Sequence, residues 1–392
     1  MKKFLRRFNW ISFLSTVALV VIGALVLASA GDARGADTVF ASLWKKMVAT
    51  AGLGFVLYFT FAILDYRKVL DYLAYPSYAG AIFFLLLVLS VGSVQFGGRR
   101  WLWFFQPSEI SKLCVICCLA QLFGPAEERF RGQFGFKGFL AAAAIIAVPS
   151  VLILLEPDLG TTLTLVPAVG AMMLVAGVWR KGLVVMLSAG TVVAAAILLA
   201  VSIAEDEDAN AESREKAMSC VKAILKDHQV KRVKTFVTPG EDELGAGYNL
   251  HQAMMTIGSG GVNGRGYMKG EAVRRRLLPP MGVMNDFIFC VWAEEMGYRW
   301  SLALLGLFAA LCGSVAWTAV VAGDGRGVMM AAGMATLLFA HVFINIGMSL
   351  GLVPITGLPL PFLSLGRTFL VTIMCGLGIV QSISIHREEK TE

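Results

Sequence analysis

A chain of 392 residues that is 57% hydrophobic and only 16% charged falls well below the roughly 25% charge of a soluble domain. It is read as an integral membrane protein with no soluble domain of its own. The net charge of +7 belongs mostly to loop residues that orient membrane segments, and no basic-aromatic module for reading bases is visible, which argues against a nucleic-acid partner.

Lys2, Lys3, Arg6 and Arg7 precede an apolar run from Trp10 to Ala30. That run is long enough to span a bilayer and is read as a first transmembrane helix, not a cleaved leader. Further spans are predicted near 47–65, 78–95, 107–124, 138–155, 159–178, 182–203, 300–322, 328–352 and 362–385. The expected fold is an all-α integral membrane protein of ten transmembrane helices, with one large extracytoplasmic loop between helices 7 and 8. Within one integrated membrane domain, residues 1–203 supply seven helices, 204–285 the loop, and 286–392 a half-helix and three further helices. Alternate short loops carry fourteen Lys and Arg on one side against five on the other. The positive-inside rule then puts both termini in the cytoplasm and the long loop outside.

Six of the seven cysteines, among them Cys114 and Cys117, lie in or beside apolar segments, where cysteine behaves as a small hydrophobe. Cys220 stands alone in the long loop.

Four positions on the predicted outer side carry polar chemistry. Gly97-Gly98-Arg99-Arg100-Trp101-Leu102 leads into Gln106-Pro107-Ser108-Glu109-Ile110-Ser111-Lys112. Pro107 suits a first helical position and Glu109 the positive helix end. Glu109 and Lys112 share a helix face and can pair. Glu156-Pro157-Asp158-Leu159-Gly160 makes a sharp turn whose acids suit the start of the next helix. Gly258, Gly260, Gly261, Gly264 and Gly266 would let backbone approach a ligand closely, and Arg265 and Lys269 beside them suggest a pyrophosphate cradle. Asn285-Asp286-Phe287-Ile288-Phe289 opens an apolar segment with a lone acid, a functional candidate because such a charge is costly in a membrane. Glu294 and Glu295 lie too far along that helix to pair with Asp286 and are expected to form structural ion pairs. His251 suggests no metal triad.

These motifs, together with Phe343-Ile344-Asn345-Ile346-Gly347-Met348 and Val353-Pro354-Ile355-Thr356-Gly357-Leu358-Pro359-Leu360-Pro361-Phe362, resemble those of the SEDS proteins (shape, elongation, division and sporulation), most closely the elongation branch typified by RodA. The match runs in order over nearly the whole chain. The resemblance implies a peptidoglycan glycosyltransferase that polymerises lipid II outside the cytoplasmic membrane for cell-wall elongation and cell shape. It implies a class B penicillin-binding protein as transpeptidase partner, among other membrane proteins of the elongation machinery. Asp286 matches the family's essential aspartate, and Trp101, Glu109 and Lys112 match other sensitive positions. Three departures stand out. Met284-Asn285 replaces His-Thr before the acid, Gln252-Ala253 replaces Gln-Ser, and Ser364-Leu365-Gly366-Arg367-Thr368-Phe369 replaces Ser-Tyr-Gly-Gly-Ser-Ser, putting a cation where small residues are usual.

The chemistry expected is one displacement. Asp286 takes the proton of the acceptor 4-hydroxyl, an α-linked donor inverts to a β-1,4 bond, and Arg99, Arg100, Lys112, Arg265 and Lys269 neutralise the leaving pyrophosphate. Trp101 and Glu109 complete the expected substrate site, with Glu156, Asp158, Gly260, Gly261, Glu294, Glu295 and Ser364 in support. No cofactor is certain, and a divalent cation, Mg or Mn, stays open. A lipid II flippase suits the spans and buried charges equally, although no inverted repeat is evident, and a non-catalytic scaffold for a penicillin-binding protein is a third reading.

Overall fold

The computed structural model describes residues 6–33, 39–95, 98–103, 105–124, 135–156, 158–206, 210–225, 227–238 and 246–387. Lys2, Lys3, Arg34, Gly97, Arg129, Arg131, Pro157 and Lys390, and the side chain of Arg99, lie outside what is described.

In chain order come α1 (Trp10–Asp32), α2 (Leu43–Ile63), α3 (Tyr66–Val91), a hairpin of β1 (Ser93–Gln95) and β2 (Gly98–Trp101), α4 (Pro107–Phe123), α5 (Gly135–Leu155), α6 (Leu159–Val175) and α7 (Arg180–Glu205). The long loop holds α8 (Ala211–Ile224), α9 (Asp227–Val237), α10 (Ala246–Ser259), α11 (Glu271–Arg274) and α12 (Pro280–Met284). The chain closes with α13 (Ile288–Val321), α14 (Gly325–Ser349) and α15 (Arg367–His386).

Among the described residues, eight helices are long and apolar enough to cross a membrane: α1, α2, α3, α5, α7, α13, α14 and α15. The other two long bundle helices, α4 and α6, have 17 residues each, about 26 Å at the rise of an α-helix. Burial explains why α4 carries polar groups: Ser108, Glu109, Ser111 and Lys112 are all buried, so protein and not lipid surrounds them. At the other extreme, most of α7 is exposed, and its far end meets α8 and α9 through Val201, Val221 and Val230.

Polar contacts separate the two ends of the bundle. At one end both termini meet, with Ser384 Oγ donating to Arg7 O at 2.6 Å. Arg67 pairs with Asp324 at 3.1 Å and Arg326 with Asp71 at 2.9 Å at that same end. At the other, the β1–β2 hairpin, the α5–α6 turn, the long loop and the α14–α15 connection converge.

The helix α13 is broken at Gly297 (φ 77°, ψ −175°). A Cβ there would lie 2.2 Å from Gly264 N, and one at Gly264 (φ 77°) would lie 2.2 Å from Glu295 O. The glycine-rich stretch therefore approaches protein backbone, not an open ligand site, and its close approach is what docks the long loop onto α13.

Candidate active site

The loop ends meet around a cavity of about 380 Å³. Its wall includes Arg100, Trp101, Glu109, Asp158, Arg232, Asp286 and Arg367.

Asp286 is held from behind by its main chain. The turn closes through bonds from Asp286 N and Phe287 N to Gly282 O, at 2.9 and 2.8 Å. Asn345, buried in α14, donates to Asp286 O at 3.0 Å and to Leu358 O at 2.7 Å, which fixes the turn against the α14–α15 connection. Ser364 Oγ donates to Asn285 O at 2.5 Å and accepts from Leu360 N at 2.8 Å, while Leu365 N donates to Met284 O at 3.0 Å. Gly357 (φ 75°) lies beside the acid, where a Cβ would be in ordinary contact, 3.6 Å, with Asp286 Oδ2.

The Asp286 carboxylate itself makes no hydrogen bond or close ion pair with any described residue, so its lone pairs face the cavity. The side chain is half-buried where the cavity reaches it. The protein packed around it pushes its pKa up to about 7, with Arg232 and then Arg100 pulling the other way.

The rest of the wall is anchored in the same manner. Arg100 Nε donates to Glu156 O at 3.1 Å, tying the hairpin to the α5–α6 turn. Asp158 caps α6 through Thr161 N at 3.1 Å, and it also accepts from Thr161 Oγ1 at 3.0 Å and Gln106 Nε2 at 3.1 Å. Glu156 is fully buried with neither carboxyl oxygen hydrogen-bonded to a described residue. Burial, then the charge of Asp158, pushes it up to about 8 despite Arg100.

Lys112 lies behind the cavity, paired with Glu109 at 2.7 Å. Its ammonium is 2.9 Å from His341 Nε2 and 4.9 Å from the Phe369 ring centroid, and His341 stacks on that ring at 4.2 Å. With Lys112 donating to Nε2, the His341 proton sits on Nδ1, which faces Pro359 O at 3.4 Å.

Of the residues expected to serve the substrate, Arg100, Trp101, Glu109 and Asp286 thus share one wall, joined by the supporting Asp158. Arg265 and Lys269 are not on it: Arg265 pairs with Glu271 at 3.2 Å and Glu294 at 3.7 Å, and Lys269 is solvent-exposed. Glu294 also accepts from Glu271 N at 2.9 Å, and Glu295 accepts from Ser29 Oγ at 2.5 Å. Gly260 packs on Ala293 O, and Gly261 (φ 56°) turns the chain beside it. The polar side chains missed in the sequence are Arg232, in an ordinary-looking basic run, and His341, whose signal was a titratable side chain inside an apolar span.

A family model for the cell cycle proteins FtsW, RodA and SpoVE matches residues 9–389. The chain belongs to that family. Peptidoglycan glycosyltransferase MrdB of Escherichia coli K12 is 32% identical over 95% of this chain and 92% of its own length. Peptidoglycan glycosyltransferase RodA of Treponema pallidum is 27% identical over 96% of this chain and 97% of its own. A chain from a peptidoglycan synthase complex, solved for its coordination of polymerization and crosslinking, superposes with TM-score 0.73 at 28% identity, covering 98% of this chain and 99% of that one. Rod shape determining protein RodA of Thermus thermophilus superposes with TM-score 0.65 at 26% identity, covering 98% of each. The chain is accordingly a multi-pass membrane protein of this family.

No three or more His, Cys, Asp or Glu side chains among the described residues are arranged to hold a metal ion.

Proposed function

We infer that the chain is a peptidoglycan glycosyltransferase that joins lipid II disaccharide units into β-1,4 glycan strands. The observation that carries this reading is a carboxylate, without a hydrogen-bond partner among the described residues, facing a cavity that Arg100, Arg232 and Arg367 also line, in a chain 32% identical to an enzyme of that name. Asp286 accepts the proton of the acceptor 4-hydroxyl as that oxygen attacks the anomeric carbon. The bond from that carbon to the diphosphate breaks, and its electron pair leaves on the polyprenyl diphosphate. One displacement inverts the α-linked donor, so no second carboxylate nucleophile is required. A pKa near 7 suits the base, because enough of it is ionised at neutral pH while it still binds a proton. Arg100 and Arg232 stabilise the departing charge. Asp158, capping α6 and holding Gln106, is a positioning residue.

The site faces outward, with both termini in the cytoplasm. That orientation is supported by the basic bias of the short loops and by the termini meeting at the end away from the cavity. The partner is a class B penicillin-binding protein within the cell-wall elongation machinery, a reading supported by the likeness to a synthase-complex chain and to a rod shape determining protein. A Mg2+ or Mn2+ ion would act as a counter-ion on the donor diphosphate.

The test uses purified full-length chain and lipid II, with and without that partner, with glycan length resolved on a gel. Polymer supports the reading. Lipid II crossing liposome bilayers without any polymer would replace it with a flippase.

A further inference from the structure

Arg367 is the first residue of α15 and lines the cavity with its side chain exposed. Its guanidinium makes no hydrogen bond or ion pair with any described residue, although Asp158, Asp286 and Glu109 line the same cavity. Arg67, Lys112 and Arg326, by contrast, each meet a carboxylate. Two more guanidiniums stand on the cavity wall from other elements: Arg100 on β2, bonded to Glu156 O, and Arg232 on α9, bonded to Thr356 O at 3.1 Å. Arg232 has its pKa pulled below the usual value by burial and by the charge of Arg100. An anion entering between these like charges relieves that repulsion. One carboxylate would satisfy one planar fork, whereas three forks from three elements match a group with several charged oxygens.

We propose that Arg367 is a diphosphate-binding residue of this chain, adding a third guanidinium, from α15, to Arg100 and Arg232 around the diphosphate of the polyprenyl donor. This rests on the glycosyltransferase reading and names a contact within it. The same phosphate chemistry is offered by bulk anionic phospholipid, so the test separates the two sources.

Full-length wild type, Arg367→Ala and Arg367→Lys are placed in nanodiscs of phosphatidylcholine alone or with phosphatidylglycerol. Binding of undecaprenyl diphosphate and undecaprenyl monophosphate is measured, together with lipid II polymerisation. Arg367→Ala is expected to weaken diphosphate binding about tenfold, the scale of a lost charge-assisted bond, in both lipid mixtures and more than it weakens monophosphate binding. KM for lipid II rises in parallel, and Arg367→Lys recovers part of the loss. Wild-type polymerisation with unchanged diphosphate affinity in Arg367→Ala overturns this proposal alone. A defect confined to phosphatidylglycerol discs assigns Arg367 to bulk lipid and also overturns it. Wild type that makes no polymer overturns the glycosyltransferase reading and this inference together. An Arg367→Gln variant with the wild-type unfolding temperature guards against misfolding of the alanine protein.

Discussion

Asn345 holds Asp286 by its carbonyl, at 3.0 Å, leaving the carboxylate untouched. Its amide reaches Leu358 O as well, so one buried side chain sets the acid against the loop that forms the opposite wall.

Replacing Asn345 by Leu strands two carbonyls. Each buried, unsatisfied group costs about 1–3 kcal/mol, so unfolding in detergent should become easier by roughly 2–6 kcal/mol. Polymerisation should fall by on the order of a hundredfold, because the base is displaced from its working position. Wild-type rates in a folded Asn345→Leu protein would contradict this role.

The pH dependence follows from the Asp286 carboxyl, raised from 3.8 to about 7 by burial. A general base works ionised, so the polymerisation rate should climb as pH rises through about 7 and then level off. Arg232→Ala removes the leading cation that favours the anion and should move that inflection upward. The stability effect has the opposite sign. An acid with a raised folded pKa keeps its full contribution below its unfolded value and loses it as pH rises, here between about 4 and about 7. Glu156 adds a second loss that extends to about 8. Asp286→Asn should therefore flatten part of the stability decline across that window, as read from unfolding temperatures at several pH values.

Lys112 is buried with Glu109 and His341 as its neighbours. Removing the cation alone, as Lys112→Met, leaves Glu109 unpaired and should cost roughly 3–5 kcal/mol. The double variant Glu109→Gln with Lys112→Met should cost less than the sum of the single changes, measured by denaturation of all four proteins.

Gly297→Ala meets both a left-handed φ and a Gly264 nitrogen at 2.2 Å. Strain of this kind costs about 1–3 kcal/mol and should loosen the loop from α13. Faster hydrogen exchange across 258–274, without change in α4, is the expected readout.

Hydropathy located most of the helices because lipid demands long apolar runs, but the span expected at 78–95 falls on α3, which starts at Tyr66 and ends at Val91 before strand β1. At the entry to α13, where a half-helix from 286 and a span from near 300 were expected, one helix starts at Ile288 and breaks at Gly297. Asp286 and the Glu109–Lys112 pair were legible from local rules, since an acid opening an apolar segment and charges three apart on a helix are visible in one dimension. The cations were legible only in part, Arg100 and Arg367 among those that line the cavity. Arg265 and Lys269 sit in a glycine-rich stretch that looked like a cradle, yet the fold spends Arg265 on Glu271 and Glu294. Arg232 reaches the cavity only because the long loop folds back over it, a tertiary fact that no spacing encodes.

Asp286 is proposed as the base in glycan polymerisation. Its most direct test is single-turnover polymerisation of lipid II by purified wild type and Asp286→Asn, a substitution that preserves shape and removes the charge. A loss of about 10²–10⁴-fold in the chemical step is expected, with lipid II binding retained. A folded Asp286→Asn protein that polymerises at close to the wild-type rate would contradict it.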